Sequence, residues 1–168
     1  MSEPHRMTPM AGDTLSQGAG FVLTHMYSAE GVECPCCGGL VKVKRYSVSS
    51  RQARELRTLY HHRPTALHWR DWLTSSARMQ CVLRYAGLIE QPTGDPEKPF
   101  NRSGCWAITQ RGVDWIEGSL SIPRFVYVLF NQIVGYSPEL MTYPEALDNA
   151  YAPEDAMQAI DSNEVLEP

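Results

Sequence analysis

Residues 75–115 read SSARMQCVLRYAGLIEQPTGDPEKPFNRSGCWAITQRGVDW, and the pattern in this stretch decides the fold. In its first third, Met79, Val82, Leu83 and Ala86 recur at i, i+3, i+4 and i+7, so they form one buried face of a helix. The opposite face carries Ala77, Gln80, Cys81 and Arg84, with Arg78 on its flank. A GLIE strand over 87–90 follows, then a polar loop holding Lys98 and Arg102, a WAIT strand over 106–109, and a closing helix. A helix with a small, polar and basic outer face can fill a major groove. A two-stranded ribbon with a basic tip beside it can touch the backbone.

Outward from this stretch, Ser49 or Ser50 is placed to cap a helix running to about His61, with Ala53, Leu56, Leu59 and Tyr60 on its inner face. Pro64 ends it. A second short helix is expected to hold Leu67, Trp69, Trp72 and Leu73, and residues 74–76 supply the turn into the third. Before these helices, residues 1–18 are expected to be disordered, 19–28 to form a helix, and GVECPCCGGLVKVKRY (31–46) to form a cysteine knuckle with a return strand. After Gly118, SIPRFVYVLFNQIVGYSPE (121–139) reads as two strands hinged at Asn131 and Gln132. Pro144 and Pro153 sit at first-turn positions of two short acidic helices. The expected organisation is therefore α+β. It comprises a disordered start (1–18), a helix and knuckle (19–48), a helical core with a two-stranded wing (49–118), a β-hairpin (119–138) and an acidic extension (139–168).

Charge follows the same divisions. Residues 40–125 hold fourteen of the fifteen Lys and Arg against seven acids, or +7, whereas 126–168 hold eight acids and no base, or −8. The first 39 residues carry −3. A basic middle is the footprint of a phosphate-binding surface. The acidic end reads either as a solvating tail or as a mobile competitor for the basic face. On both readings a chain ending at Ser137 is expected to bind DNA at least as tightly as the whole.

Residues 50–118, through the Leu-Ile-Glu, loop and Trp-x-Ile-Thr-x-x-Gly pattern, resemble winged helix-turn-helix proteins. The chain from about 30 to 138 is also similar to small proteins encoded by tailed bacteriophages and prophages. The resemblance is carried by CPCCGG, SSRQARELRTLY, GLIE, WAIT and IPRFVYVLFNQIVGYS. It implies a winged-helix core in a viral accessory or regulatory protein made inside a bacterium, and it implies no specific activity.

The residues expected to touch nucleic acid are Arg78, Gln80 and Arg84 on the helix, Lys98 and Arg102 in the wing, and Lys42, Lys44 and Arg45 in a second basic cluster. Cys34 and Cys37 have the spacing of a zinc knuckle, with His25, His61 or His62 as candidate completions. A metal-free turn retained for structure is the competing reading. The four tryptophans read as core. No nucleophile–base pair, phosphate-cradling loop or paired carboxylates stand out, so no enzyme is expected. No apolar run approaches a bilayer span and the start lacks a signal region, so a cytoplasmic protein is expected. The leading expectation is a phage-type protein on double-stranded DNA, a regulator or a DNA-management accessory. The alternative is capture of a host polymerase or defence protein by nucleic-acid mimicry. A homodimer is compatible with both.

Overall fold

The computed structural model describes residues 15–35, 37–73, 79–92, 104–150, 160–161 and 165–166. Helix α1 (Leu15–His25) leads into the hairpin strands β1 (Val32–Glu33) and β2 (Leu40–Val41), then strand β3 (Lys44–Tyr46). Next come α2 (Ser50–His62), β4 (Leu67–His68), α3 (Trp69–Trp72) and α4 (Met79–Tyr85). Strands β5 (Ile89–Glu90) and β6 (Cys105–Ile108) and helix α5 (Gln110–Ile116) complete the middle. The remainder forms β7 (Ile122–Pro123), β8 (Val126–Leu129), β9 (Gln132–Tyr136), β10 (Leu140–Met141) and α6 (Tyr143–Leu147). The protein is mixed α+β, with small antiparallel sheets.

Helix α2 starts where its sequence says it should. Ser49 Oγ accepts from the Gln52 N–H and Gln52 Oε1 accepts from the Ser49 N–H at 2.8 Å, a reciprocal capping box. Ala53, Leu56 and Leu59 are buried as the spacing predicts, and Tyr60 is half-buried. Leu67, expected in the second helix, instead opens β4, because it pairs with Trp106 across the β4–β6–β5 sheet. In that sheet Ile89 faces Ile108 and Glu90 faces Ala107. Trp72, Trp106 and Trp115 are buried in the main core with Leu56, Leu83 and Leu88, while Trp69 is half-buried against it. At the amino end, the helix expected over 19–28 starts at Leu15, so residues 15–18 are helical rather than disordered.

Two expected boundaries dissolve. The segment 119–138 is no separate hairpin: β8 pairs with β3 as well as β9, with Lys44 opposite Val128 and Tyr46 opposite Val126. Its turn is Phe130–Asn131, one residue earlier than expected. Residues from 139 onward are no mere extension either. Strand β10 pairs with β7, and Met141, Tyr143 and Ala146 are buried in the main core. The Trp115 Nε1–H donates to the Met141 carbonyl at 3.1 Å, and the Tyr143 hydroxyl donates to the Ala53 carbonyl at 3.3 Å. Asn149 Nδ2 closes the unit by donating to the Val48 carbonyl at 2.9 Å. Acids occupy the outer side of this segment while its apolar residues fill the core, which is why charge alone misplaced it. Further on, Ile160 is buried beside Met26 and Val43, and Leu166 bridges to Tyr136. The described tail residues thus pack on the α1 side and on β9. The second acidic helix, expected after Pro153, lies outside the described residues.

Gly112 sets the distance between α5 and β5. A Cβ there would sit 2.5 Å from the Leu88 carbonyl oxygen and 2.8 Å from Ile108 Cγ1. We expect Gly112→Ala to destabilise the protein by about 1–3 kcal/mol, the usual cost of overpacking against backbone. Chemical denaturation would measure it, and an unchanged midpoint would show that α5 does not seat this closely.

Candidate nucleic-acid interface

Helix α4 is held from two sides. Val82, Leu83 and Ala86 are buried in the main core, while Tyr85 packs with Val126 and Val128 of β8 in a second cluster. Its exit is fixed by a Schellman motif: Leu88 N–H donates to the Leu83 carbonyl and Gly87 N–H to that of Arg84, both at 2.9 Å. Gly87 has φ +72°, which a side chain adopts only at a cost, so glycine belongs there. The Thr109 hydroxyl donates to the Gly87 carbonyl at 2.7 Å and ties this corner to α5. With these faces occupied, Cys81 and Arg84 point outward, one turn apart and exposed. The helix face expected to read DNA is therefore open at Arg84. Gln80 belongs to α4, but its side chain, Arg78, and the wing residues Lys98 and Arg102 lie outside the described residues.

The second basic cluster does not survive as one. Lys42 is only 5% exposed and its ammonium donates to the Ala29 carbonyl, so it is no phosphate contact. Burial, with Lys44 nearby, pushes its pKa below the ordinary lysine value. Residues 41–44 read Val-Lys-Val-Lys, the alternation of a single strand with its lysines outward, but β2 stops at Val41 and β3 begins at Lys44, so the period of two breaks between them. Arg45 lies over the Phe125 ring at 4.6 Å to the centroid, on the sheet face away from α4. Lys44 alone of the three is exposed, and it lies opposite Val128, on the face that packs against Tyr85.

Several cations went unnoticed in the sequence, Arg70 and Arg111 because they stand singly. Arg111 Nε donates to the Ala86 carbonyl at 3.2 Å, placing an exposed guanidinium at the end of α4. Arg70 is exposed over Trp69, whose backbone N–H donates to Gly104 at the base of β6. Arg54 and Arg57 are exposed on the outer side of α2. Arginines at i and i+3 were the one signal that would have marked the last pair.

No family model, curated protein or solved structure matches the chain. Its residues must therefore speak for the site.

At the knuckle, Cys34 N–H donates to Gly39 and Gly38 N–H to Cys34, each at 2.8 Å, closing the turn between β1 and β2. Cys34 is half-buried and Cys37 exposed, and Cys36 lies outside the described residues. His25 Nδ1 is engaged with the Phe21 carbonyl at 2.8 Å and His62 Nδ1 with that of Thr58 at 2.9 Å. Among the described residues no three His, Cys, Asp or Glu side chains gather as a metal site. If Cys34 and Cys37 hold zinc, purified protein should carry about one metal per chain, and Cys37→Ser should lose both the metal and thermal stability. Metal-free protein with unchanged stability would establish the metal-free turn instead. Among the described residues no helix is long and apolar enough to cross a membrane.

Proposed function

We propose that this chain is a double-stranded DNA-binding protein, not an enzyme, that lays α4 in the major groove in the manner of a winged helix. The observation that carries the reading is Arg84. It is an exposed arginine on a helix whose other sides are clamped by two apolar clusters, so its guanidinium is presented from a rigid support. The order α2, β4, α3, α4, β5, β6, with β6 central in its sheet, supports the winged-helix arrangement. In it the β5–β6 connection, which bears Lys98 and Arg102, is the wing beside the groove-bound helix. Lys44, Arg70 and Arg111 would then meet phosphates, fixing orientation while α4 reads bases. The phage resemblance gives the setting, a regulator or an accessory managing viral DNA in the bacterial cytoplasm. Selection from a pool of random duplexes tests this. We expect enrichment of a short motif containing at least one G·C pair, the partner of a bidentate arginine. A pool that stays random, together with capture of one bacterial protein, would favour the host-factor reading instead.

A further inference from the structure

The turn between β8 and β9 combines two unusual features. Phe130 is 70% exposed, the most exposed large apolar residue among those described, and it sits at the tip of a two-residue turn. It also has φ +49°, and Asn131 has φ +65°. Asparagine tolerates the left-handed region; a bulky aromatic there is an outlier that a turn would not select for its own stability. Strain of this kind, where a less costly residue would serve, points to a task for the side chain.

The surroundings of the tip say what the task is. The Tyr85 hydroxyl donates to Asn131 Oδ1 at 3.2 Å, so the turn is tied to α4 itself, through the residue next to Arg84. Lys44 lies opposite Val128, close to the tip and on the α4 side of the sheet. Every charged side chain in β3, β8, β9 and α4 is a cation: Lys44, Arg45 and Arg84. An exposed aromatic fixed to the candidate reading helix, with Lys44 on the same side of the sheet and Arg84 on the helix itself, matches the chemistry of a polyanion with stacked apolar faces inside it.

We propose that the β8–β9 hairpin is a second DNA-contacting element, distinct from the β5–β6 wing, and that it presses Phe130 as a wedge against a base step in the minor groove flanking the site of α4. Apolar wedges of this kind partly unstack a step and bend the duplex. The proposal rests on the DNA-binding reading and adds a location and a deformation to it.

The test uses the full chain with Phe130→Asn and Phe130→Trp, on the selected duplex carrying 2-aminopurine at successive positions. Asparagine suits the left-handed turn, so Phe130→Asn should fold with an unchanged or raised thermal midpoint. It should bind roughly tenfold more weakly, the scale of losing one stacked ring, and abolish the 2-aminopurine fluorescence rise at one step. Phe130→Trp should restore both. Wild-type protein that binds the duplex while Phe130→Asn binds equally well, with the same fluorescence rise, would overturn the wedge and leave the DNA-binding reading standing. A Phe130→Asn chain that keeps DNA binding but loses a protein partner would assign the tip to that partner and overturn the proposal. Wild-type protein that binds no duplex would overturn both.

Discussion

Arg84→Ala is expected to weaken binding to the preferred duplex by about 1–3 kcal/mol while changing affinity for scrambled duplexes far less. The reasoning is geometric. A guanidinium on a rigid helix can donate two parallel hydrogen bonds to one guanine edge, and alanine leaves those acceptors dry and unpaired. Arg84→Lys separates this from simple charge: a lysine keeps the phosphate attraction but lacks the planar fork, so it should recover general affinity and not sequence preference. Competition titrations with both duplexes read the difference. Equal loss on every sequence would reduce Arg84 to a phosphate contact, and no loss would take α4 out of the groove. Because Arg84 is exposed and makes no buried contact in the core clusters, the substitution should leave folding intact.

Removing everything after Ser137 is expected to cost the fold. Met141, Tyr143 and Ala146 leave the main core, and the buried Trp115 Nε1–H loses its acceptor, the Met141 carbonyl. Burial of the Met and Tyr side chains alone is worth about 1.5–3 kcal/mol each, and an orphaned buried donor adds about 1–3 kcal/mol. Losses of that size approach the whole stability of a typical domain, about 5–15 kcal/mol. The truncated chain should therefore show no cooperative thermal transition, and any loss of DNA binding would follow from unfolding. Met141→Ala isolates the cause without deleting acids. It should destabilise the full chain by about 2–5 kcal/mol, the range for truncating a buried methionine. A truncated chain that unfolds cooperatively near the wild-type temperature would show that β10 and α6 are dispensable after all.

That correction marks where local reading ends. The start of α2 was legible because a capping box is a four-residue signal, and the faces of α2 and α4 were legible because helical period is local. Arg84 and Cys81 were placed outward for the same reason. The position of residues 140–147 was not legible, since nothing near Met141 in sequence announces that Trp115 and Ala53 await it. Partnership of β3 with β8 is equally long-range, and it decides what the two faces of β3 meet: the Tyr85 cluster on the side of Lys44 and Phe125 on the side of Arg45. Lys42 failed for a subtler reason: alternation predicts exposure only while a strand continues, and here the strand breaks on either side of it. Phe130 was visible as an aromatic near a hinge, but its exposure depends on the turn falling one residue earlier than the Asn-Gln pair implied.

The central claim is that the cationic middle of this chain meets a duplex backbone. Fluorescence anisotropy of a labelled duplex, titrated with the full-length protein across a series of salt concentrations, tests it most directly. Phosphate contacts from Lys44, Arg70, Arg111 and the wing would release about three to five counterions, so log K should fall linearly with log salt at a slope of roughly −3 to −4.5. Absence of binding at low salt, or binding whose strength does not change with salt, would contradict the account.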